Sequence, residues 1–177
     1  MRKITHPELI VVRESGIHGL GVYAANDIKK GTRIIEYLGD RISADEADRR
    51  YDDDAMETHH TFLFYIDEDT CIDAAHGGNE ARFINHSCEP NCVAYLERRR
   101  VFIYAKKKIA SGQELTYDYA YTREGDYQPS WEKLYACRCG SAKCRGTILQ
   151  IEEPPPKRAT RRRDTTRQSR TTKSAGR

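Results

Sequence analysis

The chain has 177 residues, 38% hydrophobic and 32% charged, with a formal net charge of +3. That length suits one domain with a real core plus appended sequence, and with no run of eighteen apolar residues it excludes a membrane-spanning helix. The charge is segregated: from Pro154 onward nine Lys/Arg face one Asp, a net of +8, which leaves residues 1–153 at −5. An acidic body favours a basic partner, and the basic tail is a candidate contact for nucleic acid or for the body itself. Residues 1–7 lead into no long apolar stretch, so no secretory signal is expected and the protein is read as intracellular. In that setting six cysteines read as metal ligands and free thiols rather than disulfides.

Residues 9–12 form a short β-branched run, and Gly16, Gly19 and Gly21 mark a turn before a second strand. Residues 22–37 read as strand, turn at Gly31, strand. The unit recurs 81 residues later: Val22, Tyr23, Ala24, Ile28, Gly31 and Ile34 match Ile103, Tyr104, Ala105, Ile109, Gly112 and Leu115. One strand-turn-strand unit used twice predicts two similar small sheets around a shared core. Ser43 and Glu46 form a capping box that opens the one clear helix, and Asp52, Asp53 and Asp54 should end it. Residues 61–67 and 71–73 predict strands, His59 and His60 a surface pair, and residues 93–96 and 101–105 a hairpin.

Between these last elements lies Arg82-Phe83-Ile84-Asn85-His86-Ser87-Cys88, too polar for a strand core and broken by Pro90 for a helix. An Asn-His pair between an apolar run and two cysteines supplies side-chain donors at a fixed point; a plain polar turn is the ordinary alternative. Downstream, alternation puts Tyr117, Tyr119 and Tyr121 on one face, either a structural stack or a polar-tipped aromatic channel. Residues 127–135, with the lone Trp131, predict a short helix or lid. Cys137, Cys139 and Cys144 then have the spacing of three ligands to one zinc ion, with Cys88 or Cys92 as the fourth. The tail is expected to be disordered.

As a set, Gly19-Leu20-Gly21, Tyr37-Leu38-Gly39, the Asn-His-Ser-Cys run, residues 114–119 and the three late cysteines resemble a SET-domain protein lysine methyltransferase with a post-SET zinc motif. The resemblance implies a mainly β (α+β) fold, the SET-domain β-clip of small packed sheets with knot-like C-terminal threading and a zinc knuckle. It divides the chain into a lead (1–8), a SET domain (9–122), a post-SET zinc-binding segment (123–150) and a basic tail (151–177). It assigns S-adenosylmethionine to His18, Gly19, Leu20, Arg82, Phe83, Asn85 and His86, makes Tyr119 the active-site tyrosine and Tyr117 the limit on methyl number, and lines the cofactor and lysine channel with Tyr37 and Phe62. Cys88 becomes the fourth zinc ligand beside Cys137, Cys139 and Cys144, leaving Cys71 and Cys92 as packed thiols. Leu20 and Phe62 depart from the family's usual Trp and Tyr.

The implied activity is S-adenosylmethionine-dependent methylation of a protein lysine, one or two methyls, on a histone or another basic protein. The compact form resembles free-standing bacterial members, which implies cytoplasm; a eukaryotic setting implies nucleus or chromatin. The reading from another class is a zinc-stabilised, non-catalytic module for basic peptides with a nucleic-acid-binding tail. A third expectation concerns Lys157 and Lys173, which place methylatable amines in the basic tail opposite an acidic body.

Overall fold

The computed structural model describes residues 7–51, 61–122 and 130–150. The acidic triplet at 52–54, the His59–His60 pair, the start of the 127–135 segment and the tail lie outside the described residues. In chain order the strands are β1 Ile10–Glu14, β2 Leu20–Ala24, β3 Arg33–Tyr37, β4 Asp40–Ser43, β5 Leu63–Tyr65, β6 Thr70–Asp73, β7 Asn85–His86, β8 Cys92–Glu97, β9 Arg100–Ala105 and β10 Thr116–Tyr117. Among the described residues two short helices, α1 Ala44–Arg50 and α2 Trp131–Leu134, complete the regular elements with two 3-10 turns. Four small sheets result: β1-β2, β3-β9-β8, β4-β6-β5 and the parallel pair β10-β7.

The internal repeat is present in space, but its two copies pair with each other rather than making separate sheets. Ile28 and Ile109 exchange both backbone hydrogen bonds, at 2.8 and 2.9 Å. The Gly31 N–H donates to Ala105 O at 2.8 Å, and its counterpart Gly112 donates to Ala24 O at 2.8 Å. Ala24 N–H to Gln113 O and Ala105 N–H to Thr32 O repeat the pattern once more. An approximate two-fold therefore relates the units. Its apolar positions, Val22, Ile28, Ile34, Ile103, Ile109 and Leu115, are all at most 1% exposed and form the centre of the core.

Local chemistry explains most element boundaries. Ser43 Oγ accepts the Glu46 N–H at 3.2 Å, but only half of the expected capping box forms. The Glu46 carboxylate turns instead to Arg49 and Arg50, where two charge-assisted bonds outcompete one neutral amide. The predicted strand at 61–67 shortens to β5, because Ile66 N–H turns back to Thr70 O at 2.9 Å. The hairpin β8–β9 closes on two residues, Arg98 and Arg99, with φ of 51° and 62°, the backbone of a primed two-residue turn. Asp73, fully buried, ties α1 to β6 through Arg50 at 2.8 Å and Tyr51 at 3.0 Å. Burial pushes its carboxyl up, yet the hydrogen bonds from Arg50, Tyr51, Ala75 and His76 hold it below the usual range, so it stays ionised.

The two-fold gives a quantitative expectation. Gly31 and Gly112 have φ of +82° and +83°, and a Cβ at either would meet nothing within 4 Å. Gly31→Ala and Gly112→Ala should therefore each cost only the left-handed backbone penalty, about 1–2 kcal/mol. Urea unfolding should give near-equal losses; a large inequality contradicts the two-fold equivalence.

Candidate functional site

The site is organised where β10 lies parallel to β7, with Thr116 beside Asn85 and Tyr117 beside His86. The polar character of the Asn-His stretch is thereby explained: its side chains replace the pairing a longer strand would provide. Asn91 accepts the Thr116 N–H at 2.9 Å and donates to Glu114 O at 2.7 Å, clamping the start of β10. Asn85, 8% exposed, aims its amide nitrogen at Ser15 Oγ, His18 O, Leu20 O and Glu114 Oε1, at 2.9–3.2 Å. Four acceptors around one NH₂ leave the amide a single orientation. Glu114 also accepts from Ser15 Oγ at 2.7 Å and from the Tyr23 phenol at 3.1 Å, so Asn85 and Glu114 together hold the loop of residues 15–20.

His86, 4% exposed, accepts the Tyr119 N–H on Nδ1 at 3.1 Å. Burial pulls its pKa down to about 4, against the raising influence of Asp118, so the ring is neutral. With Nδ1 accepting, the proton sits on Nε2, which faces Cys88 Sγ at 3.4 Å.

One cavity of about 340 Å³ opens beside this pairing, within the range of small-ligand sites. His18, Gly19, Leu20, Phe62, Arg82, Phe83, Asn85 and His86, all eight residues expected from the sequence to hold a cofactor, line it together with Tyr119. Two of its buried polar atoms, Thr61 Oγ1 and Arg82 Nε, have no hydrogen-bond partner among the described residues. Apolar and aromatic walls with unpaired polar atoms and a carbonyl-rich loop suit an amphipathic, cationic small molecule such as S-adenosylmethionine.

A second cavity of about 720 Å³ lies on the other side of the tyrosines, lined by Asp48, Asp67, Glu68, Tyr117 and Trp131 among others. Thr61, Tyr119 and Tyr121 line both cavities, so the two meet at these side chains. The expected alternation of tyrosines is present: the rings of Tyr117 and Tyr119 lie 5.0 Å apart and those of Tyr119 and Tyr121 5.8 Å apart. The Tyr119 phenol donates to Ile84 O at 3.0 Å. Burial raises Tyr37, Tyr117 and Tyr119 far above the ordinary phenol range, so all three stay protonated. Tyr37 lines neither cavity; its phenol donates to Phe62 O at 2.9 Å and its ring packs on Phe64, one layer behind the channel.

The sulfur atoms of Cys88, Cys137, Cys139 and Cys144 all lie within 4.8 Å of one another, with Cys88 and Cys137 at 3.7 Å. A tetrahedral ion with bonds of about 2.3 Å needs sulfur–sulfur edges of about 3.8 Å, so the cluster fits one such metal ion. Amide N–H groups of Arg145, Cys139 and Gly146 point at three of the sulfurs, as thiolates require. Cys71 and Cys92 are buried apart from the cluster, and burial pushes them up to about 11 and about 12. They stay as protonated, packed thiols.

Two features had no distinct signal in the sequence. Arg145 makes a bidentate pair with Asp118, at 2.6 and 2.9 Å, joining the cysteine loop to the strand end between Tyr117 and Tyr119. Leu134, Ala136, Arg138 and Ile148 wall the first cavity, so the cysteine segment completes it. Their types are ordinary; only the placement of the metal loop over the cavity identifies them.

A family model described as SET domain matches residues 19–120. A histone-lysine N-methyltransferase of Schizosaccharomyces pombe, described as H3 lysine-4 specific, is 44% identical over 139 residues, 76% of this chain and 14% of that protein. Its namesake from Saccharomyces cerevisiae is 42% identical over 146 residues, 78% of this chain and 13% of that protein. Histone-lysine N-methyltransferase trithorax of Drosophila virilis is 40% identical over 150 residues, 81% of this chain and 4% of that protein. The chain thus spans a small part of the length of each relative.

Asn85→Asp replaces the donor shared by four acceptors with a carboxylate against Glu114. The variant should lose about 3 kcal/mol near neutral pH. The deficit should shrink as pH falls through the carboxylate range, because protonating either acid restores a donor. A pH-independent deficit in thermal unfolding would show that the charge clash is not its cause.

Proposed function

The chain belongs to the SET-domain family, and from that premise we propose that it transfers the methyl group of S-adenosylmethionine to the side-chain amine of a protein lysine. The observation that carries this reading is the meeting of two cavities at Tyr119, Tyr121 and Thr61. The donor fits the first cavity and an extended, lysine-bearing segment fits the second. When bound, the donor supplies an electrophilic methyl on a positive sulfonium.

The residues mainly align and desolvate, as an in-line displacement requires. His18, Gly19, Leu20, Arg82, Phe83 and Asn85 hold the donor, with Phe62 and His86 as walls. The phenols of Tyr117, Tyr119 and Tyr121 exclude water from the junction, which favours the neutral amine over the ammonium. The Tyr119 proton is committed to Ile84 O, so its phenol oxygen is left as an acceptor toward the incoming amine and the polarised methyl hydrogens. Tyr37, through Phe62 O and Phe64, positions the wall rather than touching reactants. Tyr117 beside the junction limits the space for added methyls, giving mono- or dimethylation. The acidic rim selects a basic segment, as in the histone H3 named for the relatives, laid down along the groove as an added strand.

The metal is proposed to be zinc, because four sulfur donors without oxygen or nitrogen select a soft, tetrahedral ion. Cys88, Cys137, Cys139 and Cys144 would hold it, and its role is to keep the segment that closes the donor cavity folded. The positive tail is proposed as a secondary contact for nucleic acid.

Mass spectrometry after incubation with methyl-deuterated S-adenosylmethionine and a mixture of basic proteins should show label on lysine amines. Donor binding by calorimetry without transfer to any protein contradicts the proposal. Tyr117→Phe should shift products toward more methyl groups per lysine, and an unchanged distribution would refute the assignment of Tyr117. Removing the metal with a chelator should weaken donor binding at least tenfold, about 1.4 kcal/mol. Zinc should restore it; unaltered affinity in the stripped protein contradicts the structural role given to the ion.

A further inference from the structure

The second cavity is an acidic groove, and the last described residues lie at its rim, with the basic tail next in sequence. Leu149 lines the groove and bridges Tyr121 in parallel, and the Gln150 N–H donates to Tyr121 O at 2.7 Å. Gln150, the last described residue, is therefore held beside the tyrosine that also lines the first cavity. Asp48, Asp67 and Glu68 also line the groove. Asp67 is engaged by Arg99 at 2.6 Å, whereas Asp48 and Glu68 have no ion pair among the described residues. Among the described residues β5 is an outer strand of its sheet, and it contributes Leu63, Phe64 and Tyr65 to the lining, the kind of edge along which an extended segment adds.

Beyond residue 150 the sequence holds two lysines, Lys157 and Lys173, among seven arginines. They are not equivalent. Lys157 follows three prolines, and Pro156 has no N–H to give to a neighbouring strand. Lys173 is flanked by Thr171, Thr172, Ser174 and Ala175, small residues that all keep their N–H, with Arg170 and Arg177 outside them to meet Asp48 and Glu68. Lys173 lies 23 residues past Gln150. An unconstrained linker of that length spans about 27 Å, enough to return across a small domain.

We propose that residues 170–177 occupy the acidic groove of the same molecule with the Lys173 amine at the Tyr119 junction, making the tail an intramolecular methylation substrate. This rests on the methyltransferase reading above and names a substrate for that site. The Lys173 ammonium first gives a proton to water. Its lone pair then forms the N–C bond while the S–C bond of S-adenosylmethionine breaks with its pair kept on sulfur, leaving S-adenosylhomocysteine and a methylated ammonium. The effective concentration of a tethered segment also makes it a competitor for external basic substrates.

Two readouts on the full chain test this. With a photo-crosslinking residue at Ala175 and no donor present, crosslinks should map to residues 63–68 or 119–122 of the same chain. Crosslinks confined to other surfaces, or formed only between chains, overturn the proposal. With deuterated donor, label should appear on Lys173 at a rate unchanged by tenfold dilution. Lys173→Arg should abolish that label while an added basic peptide is still methylated. Peptide methylation with Lys173 unlabelled, or label on Lys157 alone, overturns the tail assignment and leaves the enzymatic reading standing. A rate that falls with dilution overturns the intramolecular seat. Transfer to neither peptide nor tail, with donor bound, overturns the enzymatic reading itself.

Discussion

Two residues of parallel pairing, Thr116 with Asn85 and Tyr117 with His86, decide where everything else in the site lies. Parallel strands cannot be joined by a tight turn, so the pairing brings together segments about thirty residues apart in sequence. So short a ladder contributes few backbone bonds. The Ser87 N–H adds one more backbone bond, to Tyr117 O at 3.1 Å, and side chains make up the rest: Asn91 clamps the start of β10 and His86 accepts from the Tyr119 N–H. Arg82 and Phe83 precede the pairing on one segment and line the first cavity, and Tyr119 and Tyr121 follow it on the other. One geometric constraint thus makes a cavity and a channel neighbours.

The two-fold core supplies the rigidity this arrangement needs. Each repeat ends where the site begins: the first passes through Ile34 into β3 and Tyr37, the second through Leu115 into β10. Because the turns are locked to each other through Ile28 and Ile109, a shift of β10 would have to move the centre of the core. The cysteine loop is attached at the other end of the tyrosine run through Asp118 and Arg145, so the cysteine cluster, the tyrosines and the first cavity share one frame.

Much of this was legible in the residues, and the exceptions have physical reasons. The repeat could be read from matched apolar positions and turn glycines, because both report inward-facing and left-handed backbone regardless of partner. Which copy pairs with which could not, since identical patterns serve either arrangement. The eight residues that the sequence pattern groups together line one cavity, and the four cysteines meet at one point, because such types are costly to place together without a shared purpose. Glu114 enters the sequence pattern only as the start of a motif, and Arg145 not at all: a glutamate before a strand and an arginine in a loop are common, and only the position of Asn85 and Asp118 makes them structural. Tyr37 sits one layer behind the channel, a distinction of a few ångströms that periodicity does not carry.

The proposed transfer requires the donor's methyl group to lie at the Tyr119 phenol, where the two cavities meet. An isotope-filtered nuclear Overhauser experiment on the full chain with ¹³C-methyl S-adenosylmethionine tests this directly. The methyl protons should show contacts to the Tyr119 and Tyr121 rings. Bound donor whose methyl contacts neither ring would contradict the single-site arrangement.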